Sequence, residues 1–187
     1  MRDALNVLSH YHLPRYKELP DIGLFSRQVI QYINDILGPI LIQDSQLTAT
    51  MIQNYVKLEI MPSPSCRRYN REHIAHIIAI TILKHVIPIK QVRRGIDLAM
   101  RHGSISVTYD AFAEALEEQL HRTVLPVLVK KKTYHFEAYD LSHETTGLTY
   151  ACLAYSHLLV LDLLLATEGL QGLNHPDENH SSTLNLP

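Results

Sequence analysis

Four polar side chains recur at helical spacing in the first third of the chain. Thr50, Gln53, Asn54 and Lys57 stand at i, i+3, i+4 and i+7, which puts them on one face of a helix. Met51, Ile52, Tyr55 and Val56 make up the apolar remainder. Gln and Asn each carry a donor and an acceptor in one planar amide, which matches the N6 and N7 edge of adenine in a major groove. Lys57, one turn further on, has the reach of a phosphate contact. An ordinary solvated helix face has the same composition, so this face alone does not decide between the two readings.

The residues that follow favour the first. The chain leaves the helix at Leu58, bends at Pro62 and Pro64, and returns with Arg67-Arg68-Tyr69 ahead of a helix that Asn70 can cap. Helix, bend and paired arginines in that order are the layout of a wing, a loop or small hairpin set beside a groove-entering helix. Arginines there meet phosphates or enter the minor groove. Arg71 reads either as a further phosphate contact or as a first-turn surface charge. Tyr55 and Tyr69 read at least as well as packing residues with the hydroxyl at the surface.

Charge is unevenly placed. The 187 residues carry a formal charge of −2. From Tyr55 to Arg101 nine basic residues face three acidic ones, a net of +6, while the rest of the chain is at −8. A basic segment on an acidic body is read either as a site for a polyanion partner or as a chance cluster of solvated charges. The 46% hydrophobic and 19% charged composition excludes wholesale disorder.

Other chemistry has weaker support. Twelve histidines invite a metal reading, and His73 and His76 share a helix face. No Cys or carboxylate stands at a recognised ligand spacing, so structural histidine is the better account. Cys66 lies in the wing and Cys152 in an apolar helix. Two cysteines do not make a disulfide scaffold. The phosphate-cradling glycine loops, G-x-S-x-G and C-x-x-C are all missing. No enzyme activity, cofactor or metal is expected. The N-terminus does not read as a signal peptide, and a cytoplasmic location is the default expectation.

The elements that must position these residues are helical. A short helix near 2–10 and an arm with Pro14 and Pro20 come first. Apolar spacing predicts a helix over Leu24–Leu37, stopped by Gly38-Pro39. Thr48 can cap the next helix, to about Leu58. The helix after Asn70 is apolar nearly all round to about Val86, so it belongs in mid-core. Pro88 ends it. An amphipathic helix from Ile89 puts Arg93 and Arg94 on its wet side. Asp110 is a candidate cap for a helix through Leu120, which Pro126 limits or kinks. After a polar link from Lys130 to Leu141, Ser142 can cap an apolar helix to about Thr167. That helix nearly meets a membrane span in length, but Asp162 makes a core helix or subunit contact the better reading.

With these pieces laid out, the chain resembles two families. Thr50 to Leu58, Ile60-Met61-Pro62 and Arg67 to Ile74 resemble the winged-helix head of MerR-type transcription regulators. A closer resemblance is to the bacterial domain-of-unknown-function family 1836. It rests on Leu13-Pro14-Arg15-Tyr16, Glu18 to Ile22, Met51 to Lys57, Arg71 to Ala75 and Leu83-Lys84, and covers roughly residues 13–100. The MerR resemblance implies DNA binding, with Thr50, Gln53 and Asn54 facing the groove, Tyr55 as a phosphate-contacting aromatic, and Arg67 and Arg68 in the wing. The chain departs from that pattern in its longer, earlier first helix and in lacking a long C-terminal coiled coil.

The expectation is an all-α protein with minimal β structure. Residues 1–23 form an arm, 24–103 a winged helix-turn-helix head, 104–170 a helical cap or dimerisation body, and 171–187 a mobile tail. It is read as a homodimeric, sequence-specific DNA-binding transcription regulator, contacting double-stranded DNA through Thr50, Gln53, Asn54, Tyr55, Lys57, Arg67, Arg68 and Arg71. No membrane partner is expected, and the sequence leaves room for a small-molecule or protein effector. The alternative is a protein-interaction module that uses the same fold and the apolar C-terminal helix.

Overall fold

The computed structural model describes residues 2–129 and 146–167. The polar link, the Ser142 cap and the 171–187 tail lie outside the described residues. The fold is all-α apart from a two-stranded sheet. In chain order come α1 (Arg2–Ser9), β1 (Leu24–Phe25), α2 (Ser26–Leu37), α3 (Ala49–Lys57), β2 (Arg68–Tyr69), α4 (Arg71–Leu83), α5 (Ile89–Ala99), α6 (Ile105–Leu128) and α7 (Thr146–Ala166).

α4 is the hub. Ile74, Ile77, Ile78, Ile80 and Ile82 are all buried, and α2, α5, α6, α7 and β2 pack around them. A helix with apolar residues on every face is stable only when surrounded in this way. The inward stripes are Val29, Ile33 and Leu37 on α2, Leu116, Leu120 and Val124 on α6, and Cys152, Tyr155 and Leu159 on α7. α6 and α7 pack along each other, and α1 lies on α6 through Leu5 and Leu8. Burial pushes the Cys152 thiol up to about 12, so it acts as a small apolar side chain.

Several boundaries differ from the sequence reading, among them the end of α4, at Leu83 rather than about Val86. The helix expected from Leu24 begins at Ser26, because Leu24 and Phe25 pair antiparallel with Tyr69 and Arg68. Gln28 reaches back to accept from the Phe25 N–H at 2.9 Å, which starts the helix there. Asp110 does not cap a helix. α6 already begins at Ile105, and the Asp110 carboxylate accepts from the Tyr16 N–H at 2.6 Å. α6 also runs through Pro126 and ends two residues later.

That contact belongs to a strap. Residues 11–21 run from the end of α1 across α6 towards the sheet. Arg15 meets Glu117 of α6 through two N–H···O bonds of 2.7 Å, and Glu117 also accepts from the Leu13 N–H at 2.7 Å. The Tyr109 hydroxyl donates to the Pro14 carbonyl, and the Tyr11 hydroxyl to that of Ile36. Burial raises the pKa of both phenols, keeping them protonated donors.

α7 is long and apolar enough, by length and composition, to cross a membrane. Here its inner side packs on the turn after α2. The Tyr155 hydroxyl donates to the Ile40 carbonyl at 2.6 Å, and Asp162 accepts from the Gln43 N–H at 3.1 Å. On its outer side Leu161 is 50% and Leu165 75% exposed.

Candidate functional site

The α3 face is set by three devices. Thr48 caps the helix by accepting from the Met51 N–H at 3.3 Å. The Asn34 side chain on α2 grips the preceding loop. Its amide donates to the Leu47 carbonyl at 3.1 Å, and its oxygen accepts from the Leu47 N–H at 2.8 Å. Ile52 and Tyr55 then anchor the inner face. With these in place Thr50, Gln53, Asn54 and Lys57 are all exposed. None of their side chains makes a hydrogen bond or ion pair among the described residues.

Tyr55 does not belong with them. It is 4% exposed and its hydroxyl is buried. That hydroxyl lies beside the Thr81 hydroxyl, yet neither makes a well-formed hydrogen bond among the described residues. A phosphate has no access to it, because the apolar side of α3 must face α4. Tyr69 is also core, 8% exposed, with its ring edge-on to His73.

After α3 the chain turns through Glu59 at positive φ, and Ile60 and Met61 bury. It returns in a tight turn, Ser65–Arg68. Cys66 and Arg67 have φ of 50° and 59°, and the Arg68 N–H donates to the Ser65 carbonyl at 2.8 Å. Two consecutive positive φ values closed by that bond make a type I′ turn, which Asn-Gly or Gly-Gly ordinarily supplies. Here two residues with side chains hold it, at a cost of about 1–2 kcal/mol each. Arg67 projects at the tip, exposed and without a partner among the described residues. Arg68 is exposed but held. Its guanidinium lies 4.2 Å from the Phe25 ring centre and donates to the Gly23 carbonyl at 2.9 Å.

Arg71 is turned the other way. Its Nε donates to the Leu19 carbonyl at 3.0 Å, it pairs with Asp21 at 3.5 Å, and it lies over the Tyr16 ring. It fastens the strap to the start of α4, which leaves little of it for a phosphate.

Sequence spacing missed two neighbours of Lys57. Lys90 and Arg93 on α5 line an open groove of about 400 Å³ with Lys57 and Leu58. Arg93 bridges the groove to the Leu58 carbonyl and the Glu59 carboxylate, both at 3.3 Å. The net charge of the segment was the available signal, but it does not say which cations meet in space.

His73 and His76 are spent on α4 itself. His73 completes the Asn70 capping box, and His76 Nδ1 is 2.8 Å from the Glu72 carbonyl. Among the described residues no three His, Cys, Asp or Glu side chains group as metal ligands.

The family model described as Domain of unknown function (DUF1836) matches residues 14–112. The chain belongs to the DUF1836 family. The DUF1836 match begins inside the strap, runs through the sheet and α2–α5, and ends in α6. It therefore contains every candidate contact residue named above. No curated protein and no solved structure matches the chain.

Proposed function

We propose that this DUF1836 protein is a sequence-specific DNA-binding transcription regulator that acts as a homodimer in the cytoplasm. On this reading residues 24–103 are a MerR-like winged helix-turn-helix, with α2 and α3 as the helix pair and the Ser65–Arg68 turn as the wing. The observation that carries it is the free α3 face. Thr50, Gln53 and Asn54 are base-reading types held exposed and unengaged on a capped, clamped helix. Lys57, Arg67 and Arg68 supply phosphate contacts, and Lys90 and Arg94 on α5 extend them. Arg71 and Tyr55 drop out of the contact set for the reasons of geometry given above. The exposed side of α7, at Leu161 and Leu165, supplies the dimer contact, and two heads read a palindromic site.

Fluorescence anisotropy on genomic DNA fragments, across a salt series, tests this. Binding is expected to fall with a log–log slope of about −0.9 per neutralised phosphate. Gln53→Ala/Asn54→Ala is expected to erase preference for the selected fragment over a scrambled duplex. Lys57→Ala is expected to weaken both alike. Leu161→Glu/Leu165→Glu is expected to give monomers in sedimentation. Failure to bind any fragment by folded protein would overturn the reading and turn attention to a protein partner for α7.

A further inference from the structure

Arg68 is restrained from three sides by a segment that the proposed base and phosphate contacts do not use. The Gly23 carbonyl takes one of its N–H groups at 2.9 Å. The Phe25 ring lies under the guanidinium at 4.2 Å. A Cβ on Gly23 would sit 3.1 Å from both Cβ and Cδ of Arg68, tighter than ordinary contact, so glycine is what lets the arginine stem lie against the strand. The backbone is fixed as well, by the pairing of Phe25 with Arg68 and by the type I′ turn.

Phe25 itself is 50% exposed. A large ring left half in water adds little to the core, and its evident contact is the cation above it. The remaining Arg68 N–H groups have no partner among the described residues. A free arginine loses rotamer freedom when it meets an anion, whereas one already stacked and hydrogen-bonded loses less. Arg67, one residue earlier, has no such support.

We infer that Gly23 and Phe25 are positioning residues that pre-set the Arg68 guanidinium for a backbone phosphate of duplex nucleic acid. The inference rests on the DNA-binding reading above. It adds β1 and the glycine before it to the functional surface, a segment whose side chains need not touch the duplex.

The test is a double-mutant cycle on the full chain, with a labelled mixed-sequence duplex at low and moderate salt. Phosphate contacts are sequence-independent, so no operator is needed. Arg68→Ala is expected to weaken binding about tenfold and to reduce the salt slope by about 0.9. Phe25→Leu removes the ring while keeping an apolar side chain and the charge. It is expected to weaken binding about two- to fivefold with the slope unchanged, and to have no effect in the Arg68→Ala background. Phe25→Tyr is expected to restore wild-type affinity. Gly23→Ala is expected to mimic Phe25→Leu; should it not fold, the Phe25 series decides. Equal effects of Phe25→Leu in both backgrounds, no effect in either, or no rescue by tyrosine would overturn the positioning role and leave DNA binding standing. Wild-type protein that binds no duplex even at low salt would overturn DNA binding and this inference with it.

Discussion

Glu117 is the residue on which the strap depends. Its carboxylate accepts from the Leu13 N–H and from both terminal nitrogens of Arg15, all at 2.7 Å, and lies 3.1 Å from His12 Nδ1. Arg15 and Glu117 side chains are 27% and 21% exposed, so water reaches the pair. Glu117→Ala leaves the Leu13 N–H without a partner, at about 1 kcal/mol. It also breaks a part-buried bidentate pair. That is worth about 1–2 kcal/mol here, below the 3–5 kcal/mol of a fully buried one. The expected loss is about 2–3 kcal/mol, a fall in melting temperature of roughly 4–12 °C for a chain of this size. Glu117→Gln keeps one acceptor and is expected to cost about half as much. Burial pushes the Glu117 carboxyl up, but the Arg15 and Leu13 hydrogen bonds and the charges of Arg15 and His12 outweigh it and hold the pKa below its ordinary value. A depressed acid contributes stability above the ordinary carboxylate range and loses it as pH falls through the folded-state value. The gap between wild type and Glu117→Gln is therefore widest near neutrality and closes in acid. Urea unfolding of both, with Arg15→Met and the double variant, measures it. A Glu117→Gln protein within about 0.5 kcal/mol of wild type, with no coupling to Arg15, would refute the claim that the strap is held by this cluster.

Cys66→Gly removes the left-handed penalty at the turn, about 1–2 kcal/mol, against a glycine entropy cost of about 0.5–1 kcal/mol. A net gain of about 0.5–1 kcal/mol is expected in chemical denaturation, and a loss of stability would contradict the turn assignment. Tyr55→Phe deletes a buried hydroxyl that makes no well-formed hydrogen bond, so stability and DNA affinity are expected to hold or rise slightly. Tyr55→Ala is expected to cost about 3–5 kcal/mol; a Tyr55→Phe protein that loses DNA affinity alone would restore the phosphate role. His85 packs against the Tyr155 ring with a buried Nε2 that has no partner among the described residues, and burial together with the Lys84 charge pulls its pKa down. Its contribution is intact above the ordinary histidine value, about 6.5, and is lost as pH falls below it. His85→Phe is expected to flatten that part of the urea-midpoint profile, and an unchanged profile would contradict burial of the ring.

Much of the helical frame was legible because its signals are local. Thr48 and Asn70 cap the helices they precede, the all-round apolar run of α4 is the hub, and Pro88 separates α4 from α5. What was hidden depends on pairs distant in sequence. Two residues, Leu24 and Phe25, are too few to show a strand period, and only their partners Tyr69 and Arg68 make them β. Asp110 has the chemistry of a cap, yet it serves a backbone N–H 94 residues away. Arg15 finds Glu117 at a separation of 102 residues, and nothing near either one announces it. Asn34 looks like an ordinary polar helix residue until its amide is seen gripping Leu47.

The same limit governs the candidate site. Composition counts every cation from Tyr55 to Arg101 alike, whereas the fold sorts them by what they already hold. Arg71 is tied to the strap and Arg93 to Glu59, Leu58 and Asp97. Lys84 is half-buried against Met51, and burial pulls its pKa down. Lys57, Arg67, Lys90, Arg94 and Arg101 have no such partner among the described residues. A cation already paired gains less from a phosphate, because the old contact must be given up first. A polyanion meeting this surface therefore finds a smaller set of charges than the net +6 suggests. Arg68 stands between the two groups: its contacts are to a carbonyl and a ring rather than to a carboxylate. Those contacts fix its direction while leaving its charge uncompensated, which is the combination an anion-binding arginine needs.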